Sequence, residues 1–236
     1  MNLYLALDTA TDYGSVALGG PGALAAELLV AERRHAAALV PAIEEVLRVA
    51  GVGYRDLTGM VVADGPGSFT GLRIGFATAK GILCEHEHLR LLTAPSLLAA
   101  AWAARFVSPG PIAALYDALR GEVFGAVFGF ERERVVCHLA PMLGTVPQIA
   151  AASPVEPTIA VGDGAILHPE AIRAWTGRDP VGPPDFLPRA GAFLHLLELA
   201  GGTTELADPA SFQPAYGRLA EAEVRLQKGQ WGRQGR

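Results

Sequence analysis

The sequence has few of the residues on which disulfide, metal and phosphate chemistry most often depends. Its 236 residues include only two cysteines, Cys84 and Cys137, and only two lysines, Lys80 and Lys228. Two isolated cysteines argue against a disulfide framework or a zinc cluster and favour a reducing compartment. The formal net charge of −5 provides no overall basic field, so any contact with RNA or an anionic membrane would have to be local.

Long apolar runs and export signals are also missing. The N-terminal apolar run stops at Asp8 and follows no basic residue, which does not match a secretory signal peptide. The longest uncharged stretch of the first half, residues 91–104, is interrupted by Pro95 and is shorter than the roughly 20 residues of a membrane-spanning helix. We therefore expect a protein of one or two globular domains, located in the cytoplasm and without a membrane partner.

The order of the predicted elements indicates an α/β protein. Three short apolar runs separated by Asp, Thr and Gly, at residues 3–7, 15–18 and 24–30, predict an antiparallel meander. Apolar residues at helical spacing then predict a helix over 35–50 that ends at Gly51. Further strands and helices alternate over 59–63, 72–85, 89–93 and 96–104. This βββαβαβα order is that of the ribonuclease H-like unit from which actin-like (ASKHA) proteins are built in tandem.

The second half of the chain repeats this pattern in reduced form. Proline and glycine cluster at residues 108–111, which predicts a boundary between two lobes. A second meander, a short helix over 146–151 and a strand over 158–161 follow that boundary. We predict an N-terminal actin-like lobe over 1–108 and a smaller C-terminal lobe over 109–236 with a C-terminal helix and tail, each with a mixed sheet.

The segment Gly65-Pro-Gly-Ser-Phe-Thr-Gly71 joins a buried strand to a helix and is the most informative part of the sequence. A helix N-terminus near glycines can bind an anion, but the spacing matches neither G-x-x-x-x-G-K-[ST] nor G-x-G-x-x-G. The alternative is a tight turn in which Ser68 or Thr70 caps the helix. The candidate nucleotide- or anion-binding residues are Asp8, Thr9, Gly65, Gly67, Ser68, Thr70 and Gly71.

Other polar side chains carry weaker signals. Arg73 lies in the first turn of a helix, where a cation opposes the dipole; a carboxylate across an interface or a bound phosphate would compensate it, and a solvated arginine is the alternative. His86 and His88 near Cys84 lack further ligands at metal spacing, which favours a solvated helix end. No G-x-S-x-G elbow is present, so a hydrolase triad has no support.

From Gly65 to Gly75, in Gly-Pro-Gly-Ser-Phe-Thr-Gly-Leu-Arg-Ile-Gly, the sequence resembles the TsaB (YeaZ) family of bacterial tRNA threonylcarbamoyladenosine biosynthesis proteins. The likeness spans nearly the whole chain. It continues in Leu-Ala-Leu-Asp-Thr-Ala at 5–10, in the helix from His35, in Asp-Ala-Leu-Arg-Gly-Glu-Val-Phe at 117–124, in Gly-Asp-Gly-Ala at 162–165, in Pro-Ala-Tyr-Gly-Arg at 214–218 and in Glu-Ala-Glu at 221–223. Ala10 stands where a nucleotide-binding turn has a glycine, and Gly217 where the family pattern has a leucine.

This resemblance implies a part in making N6-threonylcarbamoyladenosine at position 37 of tRNAs that read codons beginning with A. In that pathway the TsaD subunit transfers the group to tRNA, TsaB-like proteins pair with TsaD, and a small ATPase, TsaE, joins the pair. TsaD holds a metal with an H-x-x-x-H pair, whereas the corresponding residues 93–99 here include no histidine. The resemblance therefore implies a partner subunit without catalytic residues or a metal, which meets tRNA indirectly through the complex.

The resemblance also implies where the chain would pair. The helices from His35 and from Leu72 are expected to form an apolar face that packs on TsaD, or on a second copy of the chain when TsaD is missing. The expected interface residues are His35, Ala36, Leu39, Val40, Ile43, Leu72, Arg73 and Phe76. No cofactor is expected in the chain alone, and ATP or ADP at the subunit junction stays open.

Two rival functions compete with the partner-subunit hypothesis. An independent actin-like enzyme that binds ATP is supported by the fold, by Asp8 and by the glycine loop, and it requires nucleotide affinity in the isolated chain. A peptidase has neither a metal site nor a nucleophile elbow in this sequence. The basic tail over 218–236 offers a local contact with RNA phosphates, with a solvated C-terminus as the alternative.

Overall fold

The computed structural model describes residues 2–30, 35–183, 186–187 and 189–217, and these residues build two β-sheets. The first sheet contains β1 (Tyr4–Asp8), β2 (Gly14–Gly20), β3 (Ala23–Val30), β4 (Gly59–Ala63), β5 (Arg90–Ala94) and β10 (Thr204–Glu205). Their order across the sheet is β10-β5-β4-β1-β2-β3. Strands β1, β4 and β5 are parallel, and the other pairs are antiparallel.

The second sheet repeats the first on a smaller scale. It contains β6 (Ile112–Asp117), β7 (Val123–Glu131), β8 (Arg134–Gly144) and β9 (Ile159–Val161), in the order β8-β7-β6-β9. Strands β6, β7 and β8 form an antiparallel meander, and β9 is parallel to β6 as β4 is to β1. The predicted α/β fold with mixed sheets in tandem and a reduced second copy is confirmed.

Seven helices cover the sheets in the described residues. They are α1 (His35–Ala50), α2 (Phe69–Glu85), α3 (Ser96–Ala104), α4 (Val146–Ala152), α5 (Asp163–Ile166), α6 (Pro169–Thr176) and α7 (Gly191–Leu196). Because successive strand residues point to opposite faces, Leu5 and Leu7 of β1 pack in one core with α1 and α2, and Ala6 packs in another with α3 and α7. None of the described helices is long and apolar enough to cross a membrane.

The start of α2 differs from the prediction. The helix begins at Phe69, three residues before the expected Leu72, because Ser68 is its N-cap and the Ser68 Oγ accepts a hydrogen bond from Gly71 N at 3.2 Å. Ser68 rather than Thr70 therefore caps the helix. Since α1 and α2 both pack on the face of the sheet that includes Leu5 and Leu7, this cap helps to place α2 beside α1.

The end of the described chain returns to the first sheet. Helix α7 packs on β2 and α3, and β10 pairs with β5 through Thr204 and Thr93. These elements were predicted within the C-terminal lobe, but in space they complete the first sheet, which sequence position alone does not reveal. The boundary after residue 108 stays a prediction, and the predicted C-terminal tail over 218–236 lies outside the described residues.

Candidate functional site at the glycine loop and the α2 face

The glycine loop, residues 65–71, packs directly against the end of β1. A Cβ atom at Gly71 would overlap the carbonyl oxygen of Thr9, and one at Gly67 would overlap that of Ala10. Hydrogen bonds close the same contact: Thr9 Oγ1 donates to Gly71 O at 2.8 Å, and Ser68 N donates to Ala10 O at 2.6 Å. The glycines are therefore required for the close approach of two backbone segments of this chain.

Asp8, at the end of β1, is a fully buried carboxylate with one unpartnered oxygen. Its Oδ1 accepts a hydrogen bond from Ala10 N at 3.0 Å, while Oδ2 has no partner in the described residues. Burial raises the pKa of Asp8 to about 6; the charge of Glu27 adds to the rise, and the Ala10 N–H opposes it. Protonation of Oδ2 would remove the cost of burying a charged carboxylate, whereas a phosphate beside it would add further negative charge.

The inner side of the glycine loop is occupied by the chain itself. Thr9 and Ala10 fill the space beside Gly67 and Gly71, and Thr9 is fully buried. A capped tight turn, the alternative that the sequence offered, describes this geometry, and anion binding at the loop stays a prediction. Ser68 and Thr70 lie on the exposed side of the loop.

A half-buried carboxylate, Asp163, follows β9. Asp163 Oδ1 accepts hydrogen bonds from Asp117 N at 3.1 Å and from Gly164 N at 2.8 Å. Burial raises the pKa of Asp163, and the two N–H groups oppose the rise. Burial and the charges of Asp8 and Asp163 also raise the pKa of Tyr116. No group of three or more His, Cys, Asp or Glu residues in the described ranges has the arrangement of a metal site.

The predicted interface residues separate into buried and exposed sets. Ala36, Val40 and Arg73 are exposed, and Val40 keeps 46% of its surface. The side chain of His35 lies outside the described residues. Leu39, Ile43, Leu72 and Phe76 are at most 3% exposed. The prediction that Leu39, Ile43 and Leu72 contact a partner is therefore wrong, because they pack in this chain's own core, whereas Phe76 also lines a groove on the other side of α2.

The exposed face includes residues that the helical pattern did not select. A groove of about 370 Å³ runs between α1 and α2. It is lined by Val40, Tyr54, Ala77, Thr78, Gly81, Ile82, Glu85 and His86. Ala77 and Gly81 are four residues apart and lie on one side of α2, so their small side chains leave the helix surface open to close contact. We call this surface the α1–α2 face.

Residues 206–217, which we call the C-terminal strap, cross the other side of α2. Lys80 Nζ donates to the carbonyl oxygens of Ala210 and Phe212, both at 2.9 Å. The Phe212 ring stacks on Phe76 with centroids 5.2 Å apart, and Ala215 N donates to Asp64 O at 2.7 Å. The strap therefore ties the far end of the described chain to α2 and to the start of the glycine loop.

Arg73 lies between the strap and the first turn of α2. Its guanidinium carbon is 3.9 Å from the centre of the Phe69 ring, and its Nε donates to the Tyr216 hydroxyl at 3.3 Å. The two rings contact each other with centroids 4.4 Å apart. Because α2 begins at Phe69, Arg73 lies beyond the first turn, where the helix dipole acts most strongly, and the aromatic rings take the place of the carboxylate, phosphate or water that the sequence led us to expect beside it.

Comparison with known proteins identifies relatives along most of the chain. A family model described as TsaD, tRNA N6-adenosine threonylcarbamoyltransferase, matches residues 29–159, more than half of the sequence. The tRNA threonylcarbamoyladenosine biosynthesis protein TsaB of Bacillus subtilis is 29% identical over 228 residues, which cover 94% of this chain and 96% of that protein. The Escherichia coli protein of the same name is 34% identical over 126 residues; that match spans 52% of this chain and about half, 54%, of the relative.

Solved structures agree with these matches. A Pseudomonas aeruginosa protein described as similar to peptidase YeaZ has a TM-score of 0.74 at 26% identity, covering 92% of this chain and all of the other. YeaZ from the same organism, at 0.69 and 23% identity, covers 81% of this chain and 88% of its own and supports the shared fold. Because the glycine loop, the tandem sheets and these relatives agree, the chain belongs to the TsaB (YeaZ) family, whose similarity to TsaD the family model records over more than half of the sequence.

Proposed function

We propose that this chain is a noncatalytic partner subunit in the synthesis of N6-threonylcarbamoyladenosine on tRNA, and that it pairs with the transferase TsaD in the cytoplasm. The observation that carries the proposal is the match with TsaB of Bacillus subtilis over 94% of this chain, because that protein's name assigns it to this pathway. The TsaD model over residues 29–159 supports the pairing. Two chains that share a fold can meet through equivalent helices, as two copies do in an isologous dimer.

The geometry of α2 supports an architectural role. The glycine loop packs the start of α2 against β1 without intervening space, and the strap holds its other side. A helix held in this way offers a rigid surface, and small residues at Ala77 and Gly81 allow a partner helix to approach closely. Val40 adds an exposed apolar side chain to the same face. Pairing here would stabilise the active arrangement of the partner's cleft.

Further members of the assembly follow from this role. We expect the α1–α2 face to form a homodimer when TsaD is missing, since an exposed apolar helix pair tends to associate. We expect TsaE to join the heterodimer and tRNA to bind through TsaD. ATP or ADP at the subunit junction stays a prediction. For the isolated chain we predict an affinity for Mg–ATP weaker than about 1 mM by titration calorimetry, because the glycine loop is filled.

Co-expression with TsaD of the same organism tests the proposal. We expect size-exclusion chromatography with light scattering to give a one-to-one complex, and omission of this chain to lower threonylcarbamoyl transfer to tRNA. Val40→Glu should abolish both the complex and the stimulation. The control is Val49→Glu, which alters another exposed valine of α1, 62% exposed; nine residues further along, it lies on the opposite side of the helix.

Two outcomes would contradict the proposal. If Val40→Glu still co-purifies with TsaD and stimulates transfer, the α1–α2 face is not the surface that pairs with TsaD. If the wild-type chain elutes alone and hydrolyses ATP by itself, the independent enzyme becomes the better hypothesis and the surroundings of Asp8 become the place to examine.

A further inference from the structure

A groove between α2 and the C-terminal strap has cations at both ends. It encloses about 300 Å³. It is lined by Arg73, Phe76, Ala77, Lys80, Phe212, Gln213, Pro214 and Tyr216. The lining residues that the structure describes include two cations and no carboxylate, and beyond the lining Lys80 acts electrostatically on the carboxyl group of Asp208 in the strap. Since Arg73 and Lys80 are seven residues apart on one helix, they lie on the same side of it, about 10 Å apart along its axis.

Arg73 is held in a binding-ready geometry. Arg73 stacks on Phe69 and donates from Nε to Tyr216, and within the described residues neither terminal nitrogen of its guanidinium has a hydrogen-bond acceptor. Among the ion pairs of the described residues, none involves Arg73. A planar, pre-oriented guanidinium matches the two oxygens of a carboxylate and loses little conformational freedom when it binds one.

The space between the two cations is apolar. Phe76 and Phe212 stack beneath it, and Pro214 forms its wall. Lys80 donates to two strap carbonyls, which holds its ammonium at the rim of the groove. The groove therefore suits an acidic protein segment better than an RNA backbone, because a phosphate chain would meet an apolar floor in a chain whose net charge is −5.

We propose that this α2–strap groove binds an acidic segment of the partner protein, with two carboxylates about 10 Å apart on Arg73 and Lys80 and an apolar side chain between them. The proposal rests on the proposed function, since it takes TsaD as the partner. Continuity supports it: Ala77 lines both this groove and the groove of the α1–α2 face. A protein seated on that face therefore meets the α2–strap groove.

Binding of purified TsaD to variants of this chain tests the inference. We expect Arg73→Glu to weaken the affinity at least about 50-fold at 0.1 M NaCl, and Arg73→Gln about 10-fold. Arg73→Lys keeps the positive charge but loses the planar guanidinium with its two parallel donors, so its affinity for TsaD should lie between those of wild type and Arg73→Gln. Raising the salt to 0.5 M should weaken wild-type binding more than that of Arg73→Gln.

The matched control is Arg178→Glu, which makes the same charge change at an exposed arginine of the loop after α6. We expect it to bind TsaD within twofold of wild type.

The remaining outcomes separate this inference from the proposed function. If Arg73→Glu and Arg73→Gln bind TsaD as wild type does while Val40→Glu does not, the pairing stands and the groove inference is overturned. If Arg73→Glu instead lowers binding of tRNA to the isolated chain and leaves the affinity for TsaD unchanged, the anion is a phosphate. If the wild-type chain has no affinity for TsaD, both proposals fall. Circular dichroism of each variant checks its fold, and Arg73→Gln carries the test if Arg73→Glu does not fold.

Discussion

The turns that follow β4 and β9 occupy equivalent places in the two sheets but contain different chemistry. Each strand is parallel to the first strand of its sheet, and the glycines after them, Gly65 and Gly162, have φ angles of 109° and 111°. A Cβ atom at Gly65 would overlap the carbonyl oxygen of Ala215, and one at Gly162 that of Leu115. The shared backbone geometry shows that glycine is required at both turns for packing.

The two turns differ in what comes after the glycine. In the first sheet, the carbonyl oxygen of Ala215 in the C-terminal strap closes on Gly65, and a helix of 17 residues begins four residues later. In the second sheet, the half-buried carboxylate of Asp163, directly after Gly162, accepts two backbone N–H groups, and the helix that begins there has four residues. The same turn thus leads into a long surface helix in one place and into a short turn held by a carboxylate in the other.

Replacing Gly71 tests the tightness of the first turn and has the largest expected effect. Gly71→Ala forces a Cβ against the carbonyl of Thr9, which is part of a fully buried segment, so we expect a loss of more than about 3 kcal/mol in the free energy of unfolding measured in urea. Gly81→Ala, in the same helix with open space around it, should gain about 0.5–1 kcal/mol. Equal unfolding midpoints for the two variants would contradict the close contact.

Lys80→Met measures how much the strap, on the outer side of the same helix, contributes to the stability of the fold. The variant leaves the carbonyls of Ala210 and Phe212 without their donor, and we expect it to cost about 1–2 kcal/mol in urea unfolding. Chymotrypsin should also cleave faster at Phe212 and Tyr216. Arg178→Met, at an exposed site, should change stability by less than about 0.5 kcal/mol. Unchanged cleavage in Lys80→Met would show that the strap is held by its aromatic contacts alone.

The pH dependence of stability compares buried Asp8, which lies near the first turn, with half-buried Asp163 in the second. Because the pKa of Asp8 is about 6 when folded and near 3.8 when unfolded, the folded chain binds more protons between these values, so stability falls as the pH rises. From pH 5 to pH 7.5 this group should remove on the order of 1 kcal/mol, and Asp8→Asn should abolish that part of the slope. Asp163→Asn should change the slope less, since two N–H groups already stabilise its charge. A larger change for Asp163→Asn, measured by urea unfolding at both pH values, would reverse the comparison.

Replacing the N-cap of α2 is expected to change the free energy of unfolding least. Ser68→Ala removes the acceptor for Gly71 N, and because the side chain is exposed and the hydrogen bond is long, we expect a loss of about 0.5 kcal/mol. Ser68→Asp, which retains an acceptor and adds negative charge at the helix N-terminus, should restore or exceed wild-type stability. A loss above about 2 kcal/mol on Ser68→Ala would mean that the cap, and not the backbone contact, holds the turn.

Features with a local signal could be predicted from the sequence. The apolar spacing of α1, the meander of β1–β3 and a cap at Ser68 each depend on residues within a few positions of one another. Strand β10 has two residues and pairs with a strand that ends 110 positions earlier, so no periodic pattern reveals it. The contact between Thr9 and Gly71 depends on β1 and β4 being neighbours, which is a property of the folded sheet.

The residues of the candidate surface could also be predicted only in part. Helical spacing selects apolar residues, but it does not separate a side chain that packs inside the chain from one that faces a partner. Leu39 and Leu72 fit the pattern best and are buried in the chain's own core. Ala77 and Gly81, which line the exposed groove, carry almost no hydrophobic signal. The strap was missed because its register on α2 depends on Lys80 and Phe76, far away in the sequence.

The late position of β10 and the strap has a consequence for the order of events on the ribosome. Strand β5 ends at Ala94, whereas its neighbour β10 begins at Thr204. At roughly 5–20 residues per second, translation leaves the edge of β5 without its neighbour for about 5–20 seconds. During that interval the nascent chain exposes a strand edge and an uncovered Phe76, both open to contact with other chains. The α2–strap groove comes into existence only once residue 217 has emerged, so assembly through that groove follows the synthesis of the strap.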